Sequence, residues 1–221
     1  MKALIAFLVC GLATWGYAQT PLKTFTSSDG LFRFSYSDVL IDCLPQPTAA
    51  DSATPATSKT STDHPSALSI PAACASQGAT CDGPGSEGAS VACFAYPKER
   101  FKDKPSFVAA TFYVSEIESA KNKKICMDGS PDWFVINSKG VTTINHVTFK
   151  IFEIGDNWMS GGQSGPAYRT FHNGKWYELR IQTVRSRAEY DPGTVKEFSK
   201  EDWSEVEGRL RNALNSFVFL K

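Results

Sequence analysis

From Ser106 to Glu116 apolar side chains alternate on both faces of an extended segment. Val108, Ala110, Phe112 and Val114 point one way, and Phe107, Ala109, Thr111 and Tyr113 point the other. Such a strand is stable only with protein packed on each side, because either apolar face left open would keep its surface in water. The chain must therefore build a sheet with a covering layer on both faces. Its other strands are predicted at Val91 to Tyr96, Val141 to Ile144, Val147 to Ile154, Ala167 to Phe171 and Lys175 to Val184. Asn173-Gly174 between the last two is the strongest short-range hairpin signal. Phe25 to Tyr36 opens the chain as another hairpin, turning at Ser28 to Gly30, with Phe32, Phe34 and Tyr36 on one face.

One helix is predicted from Ser199 to Asn215. Ser199 can cap it with Asp202 three residues on, and Trp203, Val206, Leu210, Ala213 and Leu214 form a single apolar stripe. A shorter helix is expected over Glu116 to Cys126, and Ser216 to Leu220 closes the chain as a strand. The sum is an α+β domain, an antiparallel sheet with flanking helices. Between Leu44 and Ala73, 22 of 30 residues are Pro, Ser, Thr or Ala and none is aromatic. That tract cannot bury enough apolar surface to offset its ordering entropy, and the glycines of 78–88 extend it. Residues 44–90 are read as a disordered, cysteine-bearing insertion in a single domain spanning 19–221, since residues 19–43 are too few to fold alone.

Residues 1–18 form a secretory signal: Lys2, an apolar run from Ala3 to Ala13, and small residues at Gly16 and Ala18. The run falls short of the roughly 18–20 apolar residues that cross a bilayer. Cleavage after Ala18 is expected, with no transmembrane segment in the mature chain and an exported, periplasmic or extracellular, protein. Val9 is too bulky to precede a lipidated cysteine at Cys10. Lys plus Arg and Asp plus Glu are equal at 23 each, so the chain lacks the electrostatic footprint of a nucleic-acid binder. Lys121, Lys123 and Lys124, like Arg180, Arg185 and Arg187, read as solvated faces.

Five cysteines follow the signal, and an exported chain is expected to oxidise them. Spacing leaves the connectivity open. The preferred pairing is Cys43 with Cys93, clamping the base of the insertion for about 4 kcal/mol, and Cys74 with Cys81 in a short loop, leaving Cys126 over. No two cysteines have the spacing of a zinc knuckle or a redox motif, so no metal and no cofactor is expected.

The Phe-x-Ser-x-Asp-Gly-x-Phe-x-Phe-x-Tyr start at residues 25–36, the hairpin strand Gly-Lys-Trp-Tyr-Glu-Leu at 174–179 and the final helix running into Ser-Phe-Val-Phe at 216–219 resemble the PsbP-like fold. That fold is shared by the extrinsic oxygen-evolving subunit of photosystem II, a Ran-binding nuclear import factor and small exported bacterial proteins. The resemblance covers most of residues 24–220 outside the inserted tract. It implies an α/β/α sandwich and a binding or accessory role in place of an enzymatic one, and it supplies no functional residue.

Gly162-Gln-Ser-Gly-Pro166 approaches a nucleophile elbow but ends in Pro and precedes a strand where the elbow needs a helix, so Ser164 is read as a loop residue. The surrounding segment from Gly155 has no Gly-Lys-Ser/Thr sequence to cradle a phosphate. Trp158 and Met159 are large apolar residues among turn formers. They either fold back onto the sheet, the commoner fate, or form a recognition surface. His64, His146 and His172 lack partners at ligand spacing, and Glu178 beside Arg180 reads as an ordinary surface pair. The expected function is thus a non-catalytic exported binding or accessory protein for a protein or small ligand, using Trp158, Met159 and Ser164. The alternative is a hydrolase or thiol-type enzyme built on Ser164 or Cys126.

Overall fold

The computed structural model describes residues 21–44, 74, 81, 89–117, 135–186 and 196–220. Their elements are strands β1 (Leu22–Thr26), β2 (Phe32–Ser37), β3 (Ile41–Asp42) and β4 (Ala89–Ala95), a 3-10 turn at Lys98–Phe101, strands β5 (Phe107–Ile117), β6 (Val135–Ile144), β7 (Val147–Trp158), β8 (Gly161–His172) and β9 (Lys175–Ser186), helix α1 (Lys200–Ser216) and strand β10 (Val218–Phe219). Seven strands pair in the order β3-β4-β5-β9-β8-β7-β6, and β1-β2-β10 make a separate small sheet. All pairings are antiparallel. The architecture is α+β. Among the described residues it carries one α-helix, which shares one face of the large sheet with the small sheet.

That first face holds the main core. Phe25, Phe32 and Phe34 come from the small sheet, Phe94, Phe112, Leu179 and Ile181 from the large sheet, and Val206, Leu210 and Leu214 from α1. Phe34 sits at its centre, stacked on Phe25 at 5.1 Å and meeting Phe94 and Phe112 edge-on at 5.4 and 5.1 Å. The edge-on geometry sets ring edges against ring faces, the favourable arrangement of aromatic quadrupoles.

Helix α1 is positioned from both ends. Ser199 accepts from the Asp202 amide while the Asp202 carboxylate accepts from the Ser199 amide, a complete capping box. Lys104 pairs with Asp202 and holds its carboxyl below the usual carboxylate range. Tyr96 donates to Glu205 at 2.8 Å, and burial together with that contact pushes its hydroxyl up to about 12. At the far end the Asn145 amide donates to the carbonyls of Asn215 and Phe217 at 3.1 and 2.7 Å, satisfying acceptors a helix terminus leaves open. Ser216 Oγ accepts from the Ser35 amide at 2.8 Å and donates to the Ser35 carbonyl at 2.9 Å, standing in for a strand neighbour beside β2.

Two hairpin turns place both central residues at positive φ, Asn145 at 44° with His146 at 71° and Asn173 at 47° with Gly174 at 81°. This is the mirror-image turn whose twist matches the strands it joins. Several sequence expectations change in extent. β6, β7 and β8 are longer than predicted, and the glycine-rich segment read as a loop around Ser164 is part of β8. Glu116 and Ile117 continue β5 in place of starting a helix; the remainder of that predicted helix, most of the 44–90 insertion, residues 1–18, His64 and Cys126 lie outside the described residues.

Because Phe34 touches rings from three strands, Phe34→Ala is expected to lower unfolding free energy by about 3–5 kcal/mol. Leu22→Ala, at a site 62% exposed on β1, should stay within about 0.5 kcal/mol. Urea unfolding followed by tryptophan fluorescence checks both; equal midpoints for the two variants would contradict the placement of the core.

Candidate functional site

The second face of the large sheet is built from the alternate residues of the same strands, and at its centre it is polar yet buried. Register places Phe152, Ala167, Arg180, Tyr113 and Cys93 in one row across β7, β8, β9, β5 and β4. The adjacent row runs Lys150, Arg169, Glu178 and Ser115, and the next on the other side includes Gln182, Thr111 and Ala95. Arg169, Glu178, Arg180, Gln182, Thr111 and Tyr113 are all buried. Among the described residues, Cys74, which is helical, and Cys81 reach the border of this face.

One ion pair inside this layer is closed at short range. Arg169 Nε donates to Glu178 Oε2 at 2.6 Å with both side chains essentially without exposure. The Arg169 guanidinium also lies 4.8 Å from the Phe152 ring centre, Lys150 approaches the same ring at 5.1 Å, and Arg180 lies over Tyr113 at 5.9 Å. Gln182 donates to Gln163, while Glu178 Oε1, Thr111 Oγ1 and Gln182 Oε1 find no hydrogen-bond partner among the described residues. The reading of Glu178 with Arg180 as a surface pair is thereby corrected. Glu178 pairs across the ladder with Arg169, and both arginines are interior because this sheet face is covered. Arg185 is exposed but stacks on Trp203 at 4.0 Å, and burial lowers its pKa from the ordinary arginine value.

The four described cysteines border this layer and are also buried. They form Cys43–Cys74 and Cys81–Cys93, with Cα atoms 5.5 and 5.9 Å apart. The expected pairing of Cys43 with Cys93 and Cys74 with Cys81 is corrected. Cys43 and Cys93 are direct cross-strand neighbours, joined by a 2.8 Å backbone hydrogen bond from the Cys43 amide, and the ladder already fixes them to each other. Each instead bonds one cysteine of the insertion, so the two bridges tie residues 74 and 81 to the sheet.

The binding residues predicted from sequence are separated by the fold. Trp158 and Met159 sit at the tip of the β7–β8 hairpin, 40% and 100% exposed, so they do not fold back into a core. The Trp158 indole lies against Gly161, where an added Cβ would come 2.9 Å from Nε1 and 2.4 Å from the Arg185 carbonyl oxygen. Ser164 is an exposed mid-strand residue three ladder pairs from the tip, and alternation puts it on the face opposite Trp158. Gly165 beside it has φ +152°, and a Cβ there would fall 1.9 Å from the Ile181 carbonyl oxygen. Only glycine allows this close backbone approach. His146 and His172 lie at the opposite end of the hairpin: eight residue steps along the strand take Ser164 to His172, roughly 26 Å. Among the described residues no histidine therefore reaches the Ser164 hydroxyl. His172 stacks on Phe219 at 4.0 Å.

The buried ion pair was missed by sequence reasoning. The available signal was that Arg169 and Glu178 occupy strands joined by the two-residue Asn173-Gly174 turn, which sets them directly opposite each other.

No protein-family model matches the chain, and no curated protein matches it. Among solved structures it is similar to cyanobacterial PsbP (CyanoP) from Synechocystis sp. PCC 6803, at 15% identity over 93% of this chain and 96% of that one, with a TM-score of 0.36. It is also similar to the Ran-binding protein Mog1p of Saccharomyces cerevisiae, at 9% identity over 90% and 95% of the two chains, with a TM-score of 0.39. Both carry the PsbP-like fold that the sequence motifs resemble. At TM-scores below 0.5 they fix no residue of the site.

Breaking the buried pair from one side leaves an uncompensated interior charge. Glu178→Leu is expected to cost about 3–5 kcal/mol, and the double variant Arg169→Met/Glu178→Leu to cost less than either single change. A double-mutant cycle by chemical denaturation decides this. Single losses under about 1 kcal/mol would place the pair in water.

Proposed function

We propose that this chain is an exported, non-catalytic binding or accessory protein that grips a protein partner through the Trp158–Met159 tip. In this reading a single domain spans residues 19–221 behind a signal at 1–18, with residues 44–90 as its insertion. Burial on both faces of the large sheet supports an α/β/α layering for that domain. The observation that carries the proposal is the tip itself: Met159 is fully exposed and Trp158 two-fifths exposed, on a hairpin whose ladder runs unbroken from Lys150–Arg169 to Trp158–Gly161. Large side chains presented in water on a rigid support lose little further entropy on binding and offer a concentrated apolar contact.

Two interior disulfides suit an oxidising compartment and support export. The balanced charge argues against nucleic acid as the partner. Among the described residues no helix is long and apolar enough to cross a membrane. Ser164, though on the other face of the hairpin, lies close enough along the ladder to border a large interface.

The test is co-purification from the exported fraction with the wild-type chain and with Trp158→Ser/Met159→Ser. Both positions are exposed, so the variant should keep its unfolding midpoint within about 0.5 kcal/mol. It should lose the partner by at least about thirtyfold in affinity, the scale of a tryptophan-centred hot spot. Equal partner recovery by both proteins contradicts the proposal. So does labelling of Ser164 by a serine-directed activity probe, or of Cys126 by a thiol probe together with turnover, because either would make the chain an enzyme.

A further inference from the structure

The sulfur atoms of Cys43, Cys81 and Cys93 all lie within 4.8 Å of one another, and Cys74 is bonded to Cys43, so four cysteine sulfurs occupy one small volume. All four residues are at most 6% exposed, and Ala95 and Tyr113 pack against them. We propose that this cluster is a metal site in its reduced state, in which four thiolates close around one Zn2+ ion.

The fold gathers the sulfurs within reach of one ion. A tetrahedral zinc with zinc–sulfur bonds of about 2.3 Å sets its sulfurs about 3.8 Å apart. The Cys43, Cys81 and Cys93 sulfurs lie within 4.8 Å of one another, and on reduction each bonded pair must open from bonding distance to the tetrahedral spacing. Once both bonds are gone, side-chain rotation separates Cys74 from Cys43 and Cys81 from Cys93. The donor set is all sulfur, which suits Zn2+ and excludes the hard cations that need oxygen. A closed four-ligand site walled by Ala95 and Tyr113 has the character of structural zinc sites, in which no position is left for water. The surrounding support is also in place. The Cys43 amide donates to the Cys93 carbonyl at 2.8 Å, and the Ser90 hydroxyl donates to the Cys81 carbonyl.

A dithiol reductant gives two electrons and two protons to each protein disulfide and becomes a disulfide itself. Four thiols result from the two bridges. One Zn2+ then replaces their protons, which leave to solvent, with no further electron transfer. The ligands come from β4, from the residue that follows β3 and from the insertion, so the ion would fasten residues 74 and 81 to the sheet as the disulfides do. A knuckle spacing is unnecessary when the fold itself gathers the sulfurs.

The test uses the full chain with Cys10→Ser and Cys126→Ser, so that only the four cysteines remain. It is reduced with a dithiol, freed of reductant without oxygen, and titrated with Co2+ as a spectroscopic probe, then with Zn2+. The expected result is about one Co2+ per chain with the tetrahedral d–d bands and thiolate charge-transfer absorption of four sulfur ligands, displaced by Zn2+ and absent from the oxidised protein. Cys81→Ser or Cys93→Ser should weaken zinc retention against a chelator by at least about a hundredfold, since loss of mere outer-shell partners already costs ten- to a hundredfold. Repeating the titration in denaturant distinguishes a folded site from loose thiols. An absent tetrahedral spectrum in the reduced chain overturns the proposal. So does unchanged affinity in the serine variants, or the same affinity in denaturant as in its absence.

Discussion

Covering both faces of the large sheet is the constraint from which the rest of this structure follows. β5 and β9 lie at its middle, and their alternate residues are buried in both directions: Phe112, Val114, Leu179 and Ile181 toward the helix and small sheet, Tyr113, Ser115, Glu178 and Arg180 toward the second face. Polar groups placed inside in this way lose their water, and each must recover the loss locally or destabilise the fold. The Arg169–Glu178 pair at 2.6 Å, the cation contacts with Phe152 and Tyr113 and the Gln182–Gln163 bond are that recovery. Such a pair adds little net stability over an apolar filling, but it makes any wrong register costly, because a one-residue slip would strand both charges.

The two faces have different characters and different means of attachment. The first is closed by an aromatic core and by a helix pinned at each end, through the Ser199–Asp202 capping box and through Asn145. The second is closed at the β3–β4 edge by covalent bonds. Disulfides suit that edge because β3 is only two residues long and contributes little pairing of its own. At the other side of the sheet the β7–β8 hairpin runs out beyond the cover, and there the apolar residues Trp158 and Met159 meet water.

Local signals in the sequence found most elements. The two-faced apolar run at 106–116 marked the central strand, Asn173-Gly174 fixed the β8–β9 hairpin, and Ser199 with Asp202 marked the helix start. What escaped notice depends on neighbours distant in the chain. The glycine-rich stretch at 155–166 resembles a loop until the ladder is known. Gly161 then makes room for Trp158 and the Arg185 carbonyl, and Gly165 makes room for Ile181. Arg180 beside Glu178 looked like a surface pair because their strand's outer face was taken as open to water. Cysteine pairing was unreadable for a related reason: spacing carries no information on which sulfurs a sheet edge collects. Trp158 stayed ambiguous, since an aromatic at a turn can fold in or stay out according to whether the cover extends that far.

Native-state hydrogen exchange, resolved to peptides of each strand in the oxidised full chain, tests the two-sided cover most directly. Amides of β5 and β9 should exchange slowest, opening only with global unfolding, while the exposed edge strand β6 exchanges orders of magnitude faster. If residues 113–115 and 178–182 exchange as fast as β6, water reaches the second face and the account of this fold is wrong.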